Sequence, residues 1–296
     1  MTDGKREDIR ATINRFSLGE AQLTTILDGA QVRPTLKPPF MLDKSDEEIA
    51  EIGRANRLPT DCFENSFTPT VIDTGAEIVL FDVGFGAMGR DNGAGHLRAR
   101  LEEAGYAPED IDIVALTHCH PDHIGGLFED GELAYPKAQL MIGQREFDAW
   151  TSGEGIPDQR AANRELFLKL ISPVADRFKF LENGDAVGRG LHAEAAFGHS
   201  LGHMMYRLEA GGHQVLVWGD VTNHYVYSLQ YPEALVGFDD DKAAAAATRR
   251  RVLDMTATDD LLVIGHHMPF PAIGFVERWD QSFRWVPTSY QTRVMG

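Results

Sequence analysis

The stretch Thr117-His118-Cys119-His120-Pro121-Asp122-His123 carries three imidazoles and a carboxylate, directly after the apolar run Ile111 to Leu116. Imidazole and carboxylate ligands suit zinc, with iron, manganese or cobalt as alternatives. Residues two apart in an extended chain share a face, so His118 and His120 can grip one ion from one side. Pro121 favours a turn, which places Asp122 and His123 where they can face a second ion. His-x-His-x-Asp-His therefore reads as half of a two-metal centre at the end of a strand. The competing reading is a polar loop that happens to be rich in histidine. Gly125 and Gly126 follow at once, where a backbone must turn tightly or approach something closely, and this favours the metal site.

The remaining donors are expected at the ends of later strands, because a strand terminus offers a fixed backbone and an exposed side chain. Phe197-Gly198-His199-Ser200 is one such place, and the apolar run Val215 to Trp218 ending in Gly219-Asp220 is a second. A third is Val263-Ile264-Gly265-His266-His267-Met268-Pro269-Phe270-Pro271. Cys119 lies between two presumed ligands and, as a strand residue, should point away from them into packing. With Cys62 as the only other cysteine, there is no disulfide framework.

The elements that must carry these residues follow from pattern. Leu23 to Leu27, Phe67 to Ile72, Ile78 to Phe81, Ile111 to Leu116 and Gln139 to Ile142 read as strands, with a hairpin turning at Thr74-Gly75-Ala76. Ser45-x-x-Glu48 is a capping box opening a short helix. Further helices are predicted at His96 to Ala104, Gln144 to Trp150, Asp158 to Ile171 and Ala243 to Leu253, the last opened by Asp239-Asp240-Asp241. Arg249-Arg250-Arg251 reads as the solvated face of that helix. Strands are also expected at Phe178 to Leu181, Ala193 to Phe197, Met204 to Glu209, Gln214 to Trp218 and Leu261 to Ile264. Strands and helices alternate with frequent hairpins, which suits mixed sheets covered by helices.

At 296 residues and 43% hydrophobic, the chain can fill a sizeable core. A formal net charge of −17 argues against a nucleic-acid partner, since phosphate backbones are held mainly by Lys and Arg. Residues 1–15 have no apolar signal region, and no run approaches the ~20 apolar residues that span a bilayer. The expectation is a cytoplasmic protein with no membrane partner.

Asp82-Val83-Gly84, then His-x-His-x-Asp-His, then Gly198-His199-Ser200, then Gly219-Asp220, then a late histidine, form an ordered set that resembles the metallo-β-lactamase superfamily along most of the chain. The resemblance implies an α+β fold, an αββα sandwich of two mixed sheets flanked by helices. It is read as a single domain over 1–296, in which residues 1–60 are an extension packed on it or at a dimer interface. The family pattern assigns His118, His120 and His199 to a first metal, and Asp122, His123 and the late histidine to a second. Asp220 bridges the two, and Asp82 orients a ligand or the loop. His267 is preferred as the late ligand, because Met268-Pro269-Phe270-Pro271 resembles the His-x-Pro-Phe-Pro of one hydrolase subgroup. His266 is the alternative. His203 stays out of contact with metal in the family, His96, His192 and His213 read as surface residues, and His224 can line the pocket.

Two such ions, zinc in first place, can lower the pKa of a shared water from ~15.7 toward ~7 and polarise a carbonyl or phosphoryl oxygen, which is hydrolysis. Asp122 is the candidate catalytic proton relay. The C-terminal half, including Trp218-Gly219-Asp220, Phe238 to Asp241 and Phe283-Arg284-Trp285, resembles the branch with methyl parathion hydrolase and related lactonases. That implies a small-molecule lactone, carboxyl ester or phosphotriester substrate and a homodimer. Asn223 stands where quorum-quenching lactonases place a tyrosine, with Tyr225 or Tyr227 as the alternative source of a phenol, which puts acyl-homoserine-lactone specificity in doubt. Phe63, Phe67, Phe85, Trp150, Phe270 and Trp279 are candidate pocket aromatics, each with core packing as the plainer explanation. Glyoxalase II-like thioester hydrolysis is the alternative activity, and a non-catalytic fold stapled by metal is the third.

Overall fold

A computed structural model describes residues 10–289; residues 1–9 of the polar N-terminal stretch, and 290–296, lie outside it. The first sheet is built from β1 (Ile13–Leu18), β2 (Ala21–Ile26), β5 (Thr70–Asp73), β6 (Ile78–Phe81), β7 (Ile113–Ala115), β10 (Gln139–Gly143) and β11 (Phe178–Leu181), in that spatial order. Between β2 and β5 the chain makes a small separate ladder of β3 (Gly29–Arg33) with β4 (Phe63–Phe67), and between β7 and β10 another of β8 (Phe128–Glu129) with β9 (Glu132–Leu133). The second sheet runs in sequence order: β12 (Ala186–Gly188), β13 (Leu191–Ala195), β14 (Met204–Ala210), β15 (His213–Val217), β16 (Leu262–Ile264), β17 (Ile273–Trp279) and β18 (Ser282–Pro287). Both sheets are mixed: β6, β7, β10 and β11 are parallel, and so are β15 and β16.

Alternation along the strands makes the layers. Val79 and Phe81 face the second sheet, where they join Met204, Tyr206, Val215 and Val217 in one core, whereas Leu80 points outward to the helices. In the second sheet Val215 and Val217 point inward and Leu216 outward. Helices α2 (Leu97–Glu103), α4 (Gln144–Ser152) and α5 (Ala161–Leu170) bury Leu97, Leu101, Trp150 and Phe167 on the outer face of the first sheet. Helix α6 (Lys242–Thr258) buries Val252 and Leu253 on the outer face of the second. This is the αββα sandwich that the motif order implies. Helix α1 (Asp46–Ala55) starts at the expected capping box, with the Ser45 hydroxyl accepting from the Glu48 N–H and the Glu48 carboxylate from the Ser45 N–H. The four-residue helix α3 (Pro121–Ile124) belongs to the loop that carries His118, His120, Asp122 and His123. No helix of the described residues is long and apolar enough to cross a membrane.

Two expectations change. The hairpin β17–β18 was not read from sequence, because its turn has no Gly or Pro; Asp280 supplies the left-handed residue instead, at φ 53°. Arg249 is not on a solvated face: it is buried, and its guanidinium reaches Asp239 at 2.5 Å and the carbonyls of Pro232, Ala234 and Val221 at 2.9, 3.1 and 3.2 Å. Only Arg250 and Arg251 of that run are exposed. A helix laid flat on a sheet has one inward face, and a three-residue run spans most of a turn, so one member must point in.

Removing the Arg249 charge strands the Asp239 carboxylate in the interior, which costs about 3–5 kcal/mol. In urea unfolding, Arg249→Met should lose stability on that scale, and Arg250→Met should stay within about 0.5 kcal/mol of the parent. Equal effects from the two would contradict this packing.

Candidate metal centre

The residues singled out in sequence meet at one edge of the sandwich. β7 ends at Ala115, and Tyr206 holds the Leu116 carbonyl at 2.6 Å while the Thr117 carbonyl accepts from the Met204 N–H at 2.9 Å, so the loop is tied to the second sheet. Pro121 then opens α3, which brings Asp122 and His123 back toward the strand ends. Asp82, just past β6, accepts from the Thr117 N–H at 2.8 Å and from its hydroxyl at 2.9 Å, and takes the His123 Nδ1 proton at 2.8 Å.

The imidazoles are oriented by what their outer nitrogens bind. Because the Thr117 hydroxyl gives its one proton to Asp82, it accepts from His118 Nδ1 at 3.0 Å. His199 Nδ1 donates to Asp239 at 3.0 Å, and His267 Nδ1 to the Ser66 carbonyl at 2.8 Å. His120 uses its other edge, with Nε2 3.4 Å from Asp240. The inner nitrogens then converge: His118 Nε2 lies 2.9 Å and His199 Nε2 3.0 Å from His120 Nδ1. Asp220 sits between this trio and the next group, with Oδ2 3.2 Å from His199 and 2.9 Å from His267, and Oδ1 3.4 Å from His123. Asp122 Oδ2 is 3.4 Å from His123 and 3.5 Å from His267.

This donor set fits cations. His123 Nε2 and Asp220 Oδ1 are buried and have no hydrogen-bond partner, and lone pairs crowd one another around His120 Nδ1. Buried polar atoms are rarely left unpaired, and nitrogen and oxygen donors at these spacings match first-row divalent ions. Burial pulls the His123 pKa down, yet the carboxylates of Asp82, Asp122 and Asp220 hold it well above the ordinary value. His199 is raised in the same way, to about 9, by Asp220 and Asp239 against burial. His118 is held well below by burial and by its histidine neighbours, and His120 is lowered to about 4 by burial and Arg160.

Several contributors were missed in sequence. Glu146 of α4 is buried and accepts from the Cys119 N–H and the Gly202 N–H at 2.8 Å, the Ser200 hydroxyl at 2.6 Å and the Trp150 indole at 2.8 Å, so one carboxylate ties both histidine loops together. Its signal was an acid four residues before Trp150 on the apolar side of a helix. Asp239 and Asp240 read as helix-opening acids, but only Asp241 caps α6. Asp239 holds His199 and is itself held by Arg249; Asp240 holds His120 and is held by Arg160 at 2.7 Å. Three consecutive acids exceed what one cap needs, and that excess was the clue.

Other candidates distribute as follows. Asn223 donates to Asp220 at 3.0 Å and leaves its carbonyl oxygen unpartnered. His224 stands apart from the donor cluster, its Nδ1 accepting from the Val226 and Tyr227 N–H groups at 3.0 and 3.3 Å, so its proton is on Nε2. His203 Nε2 accepts from the Asp220 N–H at 3.0 Å. Cys119 is buried in the apolar core as expected, although it lies in the loop past β7 and not in the strand. A polar cavity of about 220 Å³ opens over the donors and is lined by Phe67, Phe85, Arg160, Asn223 and His267 among others. A larger cavity of about 540 Å³ adjoins it across His267, with walls from Leu58, Phe63, His224, Tyr227, Pro269 and Phe270. Trp150 is buried beside His120, with ring centres 5.8 Å apart, whereas Trp279 is 55% exposed and lines neither cavity.

Fold and donor set together define a hydrolase built around a His/Asp metal site. Residues 68–267 match the sequence model of the Metallo-beta-lactamase superfamily, so the chain belongs to that superfamily. Among curated relatives, a probable metallo-hydrolase of Mycobacterium tuberculosis (strain ATCC 25618 / H37Rv) is 23% identical over 232 residues, covering 67% of this chain and 73% of the relative. The N-acyl homoserine lactonase of Bacillus cereus is 24% identical over 227 residues, covering 73% of this chain and 84% of the relative. Among solved structures, AidC, a dizinc quorum-quenching lactonase in complex with the product N-hexnoyl-L-homoserine, superposes with a TM-score of 0.88 at 23% identity, covering 94% of this chain and 98% of that one. The hydrolase AbOPH of the beta lactamase superfamily superposes with a TM-score of 0.87 at 26% identity, covering 96% and 99%.

Glu146→Gln keeps the shape but turns a donating amide toward groups that are all donors. Loss of an outer partner typically weakens metal binding about 10–100-fold. Chelator competition should show a drop of that order with circular dichroism unchanged; unaltered metal affinity would remove Glu146 from the support of the centre.

Proposed function

We propose that the protein is a two-metal, zinc-dependent hydrolase of small lactones, carboxyl esters or phosphotriesters. In this reading His118, His120 and His199 hold one ion, Asp122, His123 and His267 the other, and Asp220 reaches both. The observation that carries it is the placement of Asp220: one carboxylate oxygen faces His123 and the other faces His199 and His267, beneath an open cavity. Bound divalent ions supply Lewis acidity, which polarises a carbonyl or phosphoryl oxygen at neutral pH.

The chain's own groups do the rest. Phe67 and Phe85 pack edge to face at 4.8 Å and form an apolar wall of the polar cavity, which limits water around the reacting group. Asn223 lines the same cavity and its amide donates to Asp220 at 3.0 Å, which fixes that carboxylate beneath the opening. Asp122 lines that cavity too, and the positive histidines beside it hold its carboxyl far below the usual range against burial, so it stays ionised; its place over the donors, not its basicity, makes it the candidate proton relay. The apolar cavity beyond His267 suits an acyl or aryl substituent. Since a tyrosine is not available at position 223, selectivity for acyl-homoserine lactones over other lactones is not expected.

His120→Ala should lower turnover of a lactone or aryl ester by more than about a hundredfold, since loss of a ligand exceeds loss of an outer partner. The variant should stay folded by circular dichroism. Chelation should abolish activity and zinc should restore it. Full activity in His120→Ala would sink the proposal, and acyl-glutathione turnover far above lactone, ester and phosphotriester turnover would move it to the thioester class.

A further inference from the structure

Adjacent residues of a strand point to opposite faces, so His266 and His267 look like mutually exclusive donors. The structure brings in both. β16 ends at Ile264, and the Met268 N–H bonds to the Gly265 carbonyl at 3.1 Å, which makes His266 and His267 the two central residues of a tight turn. That turn is pinned at two points. The His266 N–H reaches the Gly219 carbonyl at 3.3 Å, beside Asp220, and a side chain at Gly265 would meet the Trp218 indole nitrogen at 2.3 Å. Both rings therefore project into the same cluster, edge to face with centres 4.9 Å apart.

His266 is buried at 4% exposure, and its ring lies 4.1 Å from that of His123. Its Nε2 stands 3.9 Å from Asp122 Oδ2 and has no hydrogen-bond partner. Asp122, His123, His266 and His267 each offer a donor atom within 4.8 Å of the others. An ordinary core histidine would have its ring nitrogen satisfied, because an unpaired buried polar atom costs about 1–3 kcal/mol. Stacking on His123 alone would be served as well by phenylalanine.

We propose that His266 is an additional ligand of the second metal ion, beside Asp122, His123 and His267. The inference rests on the two-metal reading above. With Asp220 it gives the second position a larger protein donor set than the first, which has His118, His120, His199 and Asp220. Zinc in closed sites favours four donors, whereas manganese, iron and cobalt accept more, so the two positions would differ in metal preference.

The experiment is stepwise metal competition with a chromophoric chelator, together with the visible spectrum of the cobalt-loaded protein, on wild type, His266→Phe and His266→Ala. Phenylalanine keeps the ring against His123 and removes the nitrogen; alanine tests the site should the larger ring misfit. Expected is a loss of more than about 100-fold in affinity for one ion only, beyond what loss of an outer partner produces, with the other ion unchanged and the cobalt bands altered. Unchanged affinities for both ions and an unchanged cobalt spectrum in folded variants would overturn the proposal. A wild-type chain that takes up no ion would overturn the two-metal reading itself and this inference with it.

Discussion

An imidazole presents a lone pair only where its other nitrogen keeps the proton, and in this chain that outer proton is tied at His118, His120, His123, His199 and His267. The ties go to Thr117, Asp240, Asp82, Asp239 and the Ser66 carbonyl, and most of these are themselves held by a second group. The inner nitrogens of His118, His120 and His199 are thereby brought together at about hydrogen-bond distance. Such a cluster is unfavourable by itself and becomes favourable only with positive charge at its centre, supplied by protons or by ions. The carboxylates among them raise the affinity for either.

The sandwich exists in a form that lets these ties be made. β6 and β7 are parallel neighbours in one sheet, β15 and β16 in the other, and parallel neighbours deliver their carboxyl ends to the same edge. Asp82 and the loop after Ala115 leave the first pair; Asp220 and the turn with His266 and His267 leave the second. Cross-sheet bonds from Tyr206 to Leu116 and from Met204 to Thr117 lock the two edges in register. His199 enters from the β13–β14 connection, and Glu146 reaches over from the first sheet's outer layer to hold that connection against the His118–His123 loop.

Donor residues were legible in the sequence because each follows an apolar strand and interrupts it with a ligand-type side chain. The strands carrying them were legible for the same reason: buried on both faces, they read as short continuous apolar runs. What escaped was the support. Glu146, Asp239, Asp240 and Arg249 lie on helices or beside them, where charged residues are ordinarily solvated, and only the tertiary arrangement turns them inward. Local patterning assigns a charge to water by default, so Arg249 read as surface although it anchors Asp239 in the interior. His266 was named in the sequence only as the alternative to His267, which the Met268-Pro269-Phe270-Pro271 resemblance favoured; the turn at Gly265 to Met268 brings both rings to the cluster.

The same ties constrain how a substrate can sit. Arg160 lines the polar cavity and invites use as an anion hook, but its Nε is committed to Asp240 and its Nη2 to the Phe238 carbonyl. A substrate that drew Arg160 away would loosen Asp240 and with it His120, so this guanidinium serves better as wall than as hook. Orientation then falls to the far side. His267 is common to both cavities, and the apolar one can take the bulk of a ligand while its cleavable group lies over Asp220. Apolar surface buried there contributes roughly 25 cal/mol per Å² without disturbing a single donor. Affinity and donor geometry are thus kept on opposite sides of one histidine, which allows the substituent to vary while the reacting centre stays fixed.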